Sequence, residues 1–154
     1  MSNQEIKSAL NYIQPNSQIV QVKKGKRGVT IIDNSYNANP TGILANLKYL
    51  KDKFPNKKKI IIFPCLIELG QKSSEIHFQI SQEIAQICDQ IFITNSKCFS
   101  DIKTGALKKN FSEKNIILIK NSSQLLKSIK DDLNSQTVIF IAGRTSKEIK
   151  NILL

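Results

Sequence analysis

Short runs of aliphatic and β-branched residues alternate along this chain with segments whose apolar side chains recur every three or four positions. The runs are Ile19 to Val22, Val29 to Ile32, Lys59 to Phe63, Ile91 to Thr94, Ile116 to Ile119 and Val138 to Ile141. Such short runs fit strands covered on both faces, and the helical periods between them fit crossover helices of a parallel sheet. Helices are predicted from Asn39, a cap, and Pro40, a first-turn residue, through about Phe54, with Ile43, Leu44, Leu47 and Leu50 on one face. Further helices are predicted from about Ser73 to Cys88, near Phe99 to Lys109, after a cap at Ser122 or Ser123, and at the end of the chain. Gly105 should weaken the third of these, and Leu125, Leu126, Ile129 and Leu133 should point inward from the fourth.

The loop Lys24 to Gly28 carries two glycines suited to a hairpin, which makes the first strand an antiparallel edge. Ile6, Leu10 and Ile13 mark a linker helix over 1–17, ahead of a domain over 18–154. Together these elements predict a three-layer, Rossmann-like α/β sandwich of about six strands, mostly parallel with one antiparallel edge strand.

Bulk properties narrow the partners. The 154 residues are 40% hydrophobic and 23% charged, which is the size and composition of one globular domain. No apolar run approaches the ~20 residues of a membrane span, and no apolar core follows the polar stretch Met1 to Ser8, so the expected location is the cytoplasm. Lys and Arg number 23 against 12 Asp and Glu, a net charge of +11 that attracts polyanions. The lysines are spread over predicted helix faces and turns without interleaved aromatics, which argues for a solvated basic surface rather than a nucleic-acid site. Phosphorylated small molecules suit the same charge. Cys65, Cys88 and Cys98 are odd in number, lack a C-x-x-C spacing and sit in or beside apolar segments, so buried free thiols are expected. With His77 the only histidine, no metal site is expected.

Candidate chemistry concentrates in Asp33-Asn34-Ser35-Tyr36-Asn37-Ala38-Asn39-Pro40, a polar junction between a strand and a helix, where open α/β sheets bind ligands and helix amides favour anions. These eight residues resemble the D-D-S-Y-N-A-N-P segment that opens the C-terminal domain of the Mur ligases, in particular the branch that adds D-alanyl-D-alanine in peptidoglycan synthesis. Ile61 to Gly70 followed by Glu75-Ile76-His77 resembles the family's V-L-G-D-M-L-E-L-G and E-x-H, and Val138 to Thr145 resembles its closing V-L-x-K-G-S-R. The chain departs from the pattern at Pro64-Cys65-Leu66, at Ala142, which replaces a lysine, and at Arg144, one position from the family arginine. It departs also at Ile19, where the family has an arginine that reaches ATP phosphates, and at Asn34, where an aspartate holds the ribose.

The resemblance implies nucleotide contacts from Asn34, Tyr36, Asn37 and Asn39 and substrate contacts from Glu68, His77 and Arg144. It implies ATP as a weakly held ligand shared with a central domain, and Mg2+ held only through that domain. No Gly-Lys-Ser/Thr phosphate loop occurs in the chain, so it should catalyse nothing alone and should work with central ATPase and N-terminal UDP-binding domains, in cis or in trans. The alternative expectation is a divergent non-catalytic module that docks on a separate ATPase or ligase.

Overall fold

A computed structural model describes residues 21–36 and 38–154. The predicted linker helix, Ile19 and Asn37 lie outside the described residues. Among the described residues six strands form one sheet: β1 (Gln21–Lys24), β2 (Thr30–Asp33), β3 (Lys58–Phe63), β4 (Gln90–Ile93), β5 (Ile116–Leu118) and β6 (Thr137–Ile141). Their spatial order is β1-β2-β6-β3-β4-β5. Only the hairpin pair β1 and β2 is antiparallel, with Gln21 opposite Asp33; the other pairs are parallel. The expected sandwich with one antiparallel edge is therefore the observed one. The first strand runs to Lys24, two residues beyond its expected end.

The helices are α1 (Pro40–Lys53), α2 (Ser73–Ile87), α3 (Phe99–Leu107), α4 (Ser122–Ile129) and α5 (Lys147–Leu153). Strand alternation divides the core in two. Ile32, Ile61, Phe63, Ile91, Ile93, Val138 and Phe140 pack with α1, α2 and α3. Their neighbours Ile31, Ile60, Ile62, Phe92, Ile139 and Ile141 pack with α4 and α5. Every residue of β6 is buried, because this strand lies inside the sheet with helices over both faces.

Local signals act largely as expected. Asn39 caps α1 by accepting from the Gly42 amide at 2.8 Å, and Pro40 occupies its first turn. The cap of α4 is Asn121, which accepts from the Gln124 amide at 2.8 Å, and not Ser122 or Ser123, which lie inside the helix. Leu126 is exposed, so α4 buries a narrower face than expected. Lys59 is a further correction: it is buried, and its ammonium donates to the carbonyls of Pro55 and Lys57 instead of adding to the surface charge.

Candidate functional site

The helices after β2 and β3 cover one face of the sheet, whereas the helix after β6 covers the other. The loops leaving the carboxyl ends of β2 and β6 therefore diverge, and the crevice between them is the switch point where ligands bind in this architecture. Two adjoining clefts open there. The larger, about 750 Å³, is lined by Lys23, Asp33, Ser35, Tyr36, Arg144 and Lys150 among others. The smaller, about 350 Å³, is walled by Tyr36, Asn39, Cys65, Leu66, Glu68 and Arg144 among others. Tyr36, 71% exposed, and Arg144 border both.

Asp33 organises the larger cleft. Lys23 donates to its carboxylate at 3.1 Å, the Ser35 amide donates at 3.1 Å, and the Lys150 ammonium stands 3.8 Å away while donating to the Ser35 hydroxyl at 2.5 Å. Burial raises the pKa of Asp33, but the hydrogen bonds from Ser35 and Lys23 and the charge of Lys150 together outweigh burial and leave it lowered. A carboxylate depressed in the folded state stabilises the fold above its unfolded pKa, and that stabilisation is lost as pH falls through the folded value. Stability should accordingly drop as pH is taken below the ordinary aspartate range. Denaturant midpoints of the wild type and Asp33→Asn should converge there, and parallel pH profiles would contradict the assignment.

The sequence-predicted residues sit at different depths around the two clefts. Asn34 is 1% exposed and faces inward, its Oδ1 without a partner among the described residues, and the acid on the cleft is the preceding Asp33. Asn39 commits its side-chain oxygen to the α1 cap. Glu68 is exposed on the smaller cleft, in a left-handed backbone conformation with φ 63°. His77 is buried and does not line that cleft. Its Nε2 accepts from the Leu66 amide at 2.9 Å, and Nδ1 lies 2.7 Å from the Ser73 carbonyl, to which it donates. It thus ties the loop after β3 to α2.

Lys23 and Lys150 are functional candidates that motif reading missed. The hairpin register places Lys23 diagonally across from Asp33 on the same face, a signal available once the pairing is known. Lys150 lies 115 residues from Ser35, and nothing local announces their contact.

The expectation of three free thiols holds only for Cys88. Cys65 and Cys98 are joined in a disulfide, with their Cα atoms 5.8 Å apart. The ends of the parallel strands β3 and β4 bring their loops together, which sequence spacing does not reveal. His77 stands beside them, and one ligand atom from each of the three residues falls within 4.8 Å of the others. The two sulfurs are bonded to each other and both imidazole nitrogens are engaged, so the cluster offers a metal no open set of lone pairs. In the larger cleft, Asp33 is already paired with lysines, which makes it a poor ligand for Mg2+.

A model of the family described as Mur ligase, glutamate ligase domain, matches residues 20–145. The chain belongs to this family. It is 24% identical over 135 residues to the UDP-N-acetylmuramoyl-tripeptide--D-alanyl-D-alanine ligase of Bacillus subtilis (strain 168), covering 87% of this chain and 29% of that protein. The ligase of the same name from Rickettsia prowazekii (strain Madrid E) is 26% identical over 143 residues, covering 87% and 30%. The chain thus spans about three-tenths of the length of these curated relatives. Among solved structures, MurF from Acinetobacter baumannii matches with a TM-score of 0.69 at 20% identity over 99% of this chain and 32% of that one. MurF ligase from Thermotoga maritima, in complex with ADP, matches at 0.65 and 22% identity over 90% and 30%. These likenesses establish the Mur ligase C-terminal fold of MurF type. Among the described residues no helix is long and apolar enough to cross a membrane.

Proposed function

We propose that the chain serves as the C-terminal, ligand-presenting domain of an ATP-dependent Mur-type amide ligase of peptidoglycan synthesis, working in the cytoplasm. The domain occupies 18–154, with 1–17 as its linker. The observation that carries this reading is the larger cleft, where Lys23, Arg144 and Lys150 surround Asp33 and leave an excess of two positive charges beside Tyr36. Such a site suits a nucleotide, with the cations toward phosphate oxygens and Asp33 or Ser35 toward ribose hydroxyls. Tyr36, with Asn39 on the adjoining wall, borders the base. The smaller cleft then presents an amino acid or dipeptide, with Glu68 and Arg144 toward its charged ends and His77 holding the loop that shapes the wall.

In this reading activation of the acid by ATP, and the Mg2+ that accompanies it, belong to a central domain that also supplies the phosphate loop. The chain contributes orientation of the incoming amine and exclusion of water on closure. Ala142, buried where the family has a lysine, favours a second reading, a divergent module docking on a separate ATPase.

Calorimetric titration with ADP tests the first reading. Weak binding is expected, and Arg144→Ala or Lys150→Ala should weaken it about 10-fold, or about 1.4 kcal/mol. Affinity unchanged by both substitutions would exclude the cleft, and absent binding with retained affinity for an ATPase domain would favour the second reading.

A further inference from the structure

We propose that Cys65 and Cys98 form a reversible modification site, a thiol–disulfide pair that locks the loop lining the smaller cleft and takes low-molecular-weight disulfides of the glutathione type as its oxidant. The two cysteines differ in access. Cys65 is half-buried on the cleft wall, whereas Cys98 is 3% exposed at the entry to α3. Access assigns Cys65 as the attacking thiol and Cys98 as the resolving one.

The chemistry balances without any other reagent. Cys65, as thiolate, attacks one sulfur of R–S–S–R, forming a mixed disulfide and releasing the first thiolate RS−. Cys98 then gives up its proton and attacks the Cys65 sulfur, forming the internal bond and expelling the second RS−. Two cysteine thiols lose two electrons, R–S–S–R gains them, and the two protons finish on two molecules of RSH. Excess RSH runs the sequence backward.

Both redox states fit the site. The Cys65 and Cys98 sulfurs lie 3.5 and 3.7 Å from the Asn95 carbonyl oxygen, so each thiol has an acceptor when the bond is reduced. Cys88 offers the contrast: it is a buried thiol with no disulfide partner, and burial followed by the charge of Asp89 pushes its pKa up, which makes it inert.

The bond matters to the loop because the loop is held in an unfavourable conformation. Cys65 and Glu68 have φ of 69° and 63°, left-handed values that are disfavoured for a side-chain-bearing residue. External ties keep it there, namely the disulfide to the β4–α3 connection and the hydrogen bond that the Leu66 backbone N–H donates to His77 Nε2. Reduction removes the covalent tie and lets the Leu66 to Leu69 wall relax. The effect on ligand affinity rests on the reading of that cleft as a binding site; the thiol chemistry does not.

The test uses the full chain in buffers of reduced and oxidised glutathione with a chelator present, followed by alkylation and mass spectrometry. Expected are an oxidised form two hydrogens lighter, a peptide cross-linked between Cys65 and Cys98, and no lasting glutathione adduct, with full reversal by excess reduced glutathione. Amide signals of Leu66 to Leu69 should move between the two forms, Cys65→Ser should hold the reduced spectrum under both conditions, and Cys98→Ser should retain a glutathione adduct on Cys65 in oxidised glutathione. In the wild type, thiols free at every ratio, a glutathione adduct persisting on Cys65, or loop signals insensitive to the bond would overturn the proposal. Without chelator, zinc held by both thiols with no two-hydrogen loss would overturn it in favour of a metal site. A redox-dependent loop spectrum with unchanged D-alanyl-D-alanine affinity supports the switch and removes only the assignment of the cleft.

Discussion

Replacing Gly105 with alanine is expected to lower the thermal midpoint by roughly 4–8 °C, corresponding to about 2 kcal/mol for a domain of this size. Helix propensity alone predicts the reverse, since alanine favours a helix interior by about 1 kcal/mol over glycine. The difference lies in what stands opposite. A Cβ at position 105 would run into the Ser81 hydroxyl and the backbone carbonyl of Phe78 on α2, and the carbonyl belongs to a helix that cannot shift cheaply. Overpacking of this kind costs about 1–3 kcal/mol on top of the propensity it must cancel. Gly105 is buried where α2 and α3 pack against each other, so its lack of a side chain sets their separation. Thermal denaturation monitored by circular dichroism measures the effect, and a midpoint at or above that of the wild type would show that the helices can part.

His77→Ala should be at least as costly, about 2–4 kcal/mol, because it opens a cavity and leaves the buried Leu66 amide without its acceptor. The imidazole also packs 5.8 Å, centroid to centroid, from the Phe63 ring at the end of β3. The loss should be accompanied by altered amide signals through Pro64 to Gly70. A histidine whose work is to touch substrate would behave differently: its removal would leave the denaturant midpoint near that of the wild type and change only ligand affinity. Equilibrium unfolding of the variant separates the two roles.

These residues also show where the sequence is readable. The α1 start was legible because its signals are local: Asn39 and Pro40 act on their own first turn, and the periodicity of Ile43, Leu47 and Leu50 needs no knowledge of what they meet. Strand identity was legible for the same reason, since runs such as Lys59 to Phe63 are buried on both faces whatever their order in the sheet. Gly105 was not, because its meaning depends on Phe78, on another helix. Which of Asp33 and Asn34 lines the cleft was not legible, because at the end of a strand one residue is the difference between facing the crevice and facing the core. Asp33 continues β2 and meets Lys23, while Asn34 turns inward as its amide donates to the Ile141 carbonyl at 3.0 Å. The Cys65–Cys98 bond and the reach of Lys150 to Ser35 are likewise products of topology, made by segments that the chain order keeps 33 and 115 residues apart.

On the proposed function, the crevice between the β2 and β6 loops presents nucleotide beside a phosphate-activating domain. Amide NMR of the labelled chain during titration with ADP tests it most directly. Progressive shifts are expected at Ser35, Tyr36, Asn39, Arg144 and Thr145, saturating in the millimolar range and weakening with added salt. Unmoved signals at those positions, or shifts confined to the apolar groove of Leu44, Ile76 and Ile80 between α1 and α2, would contradict it.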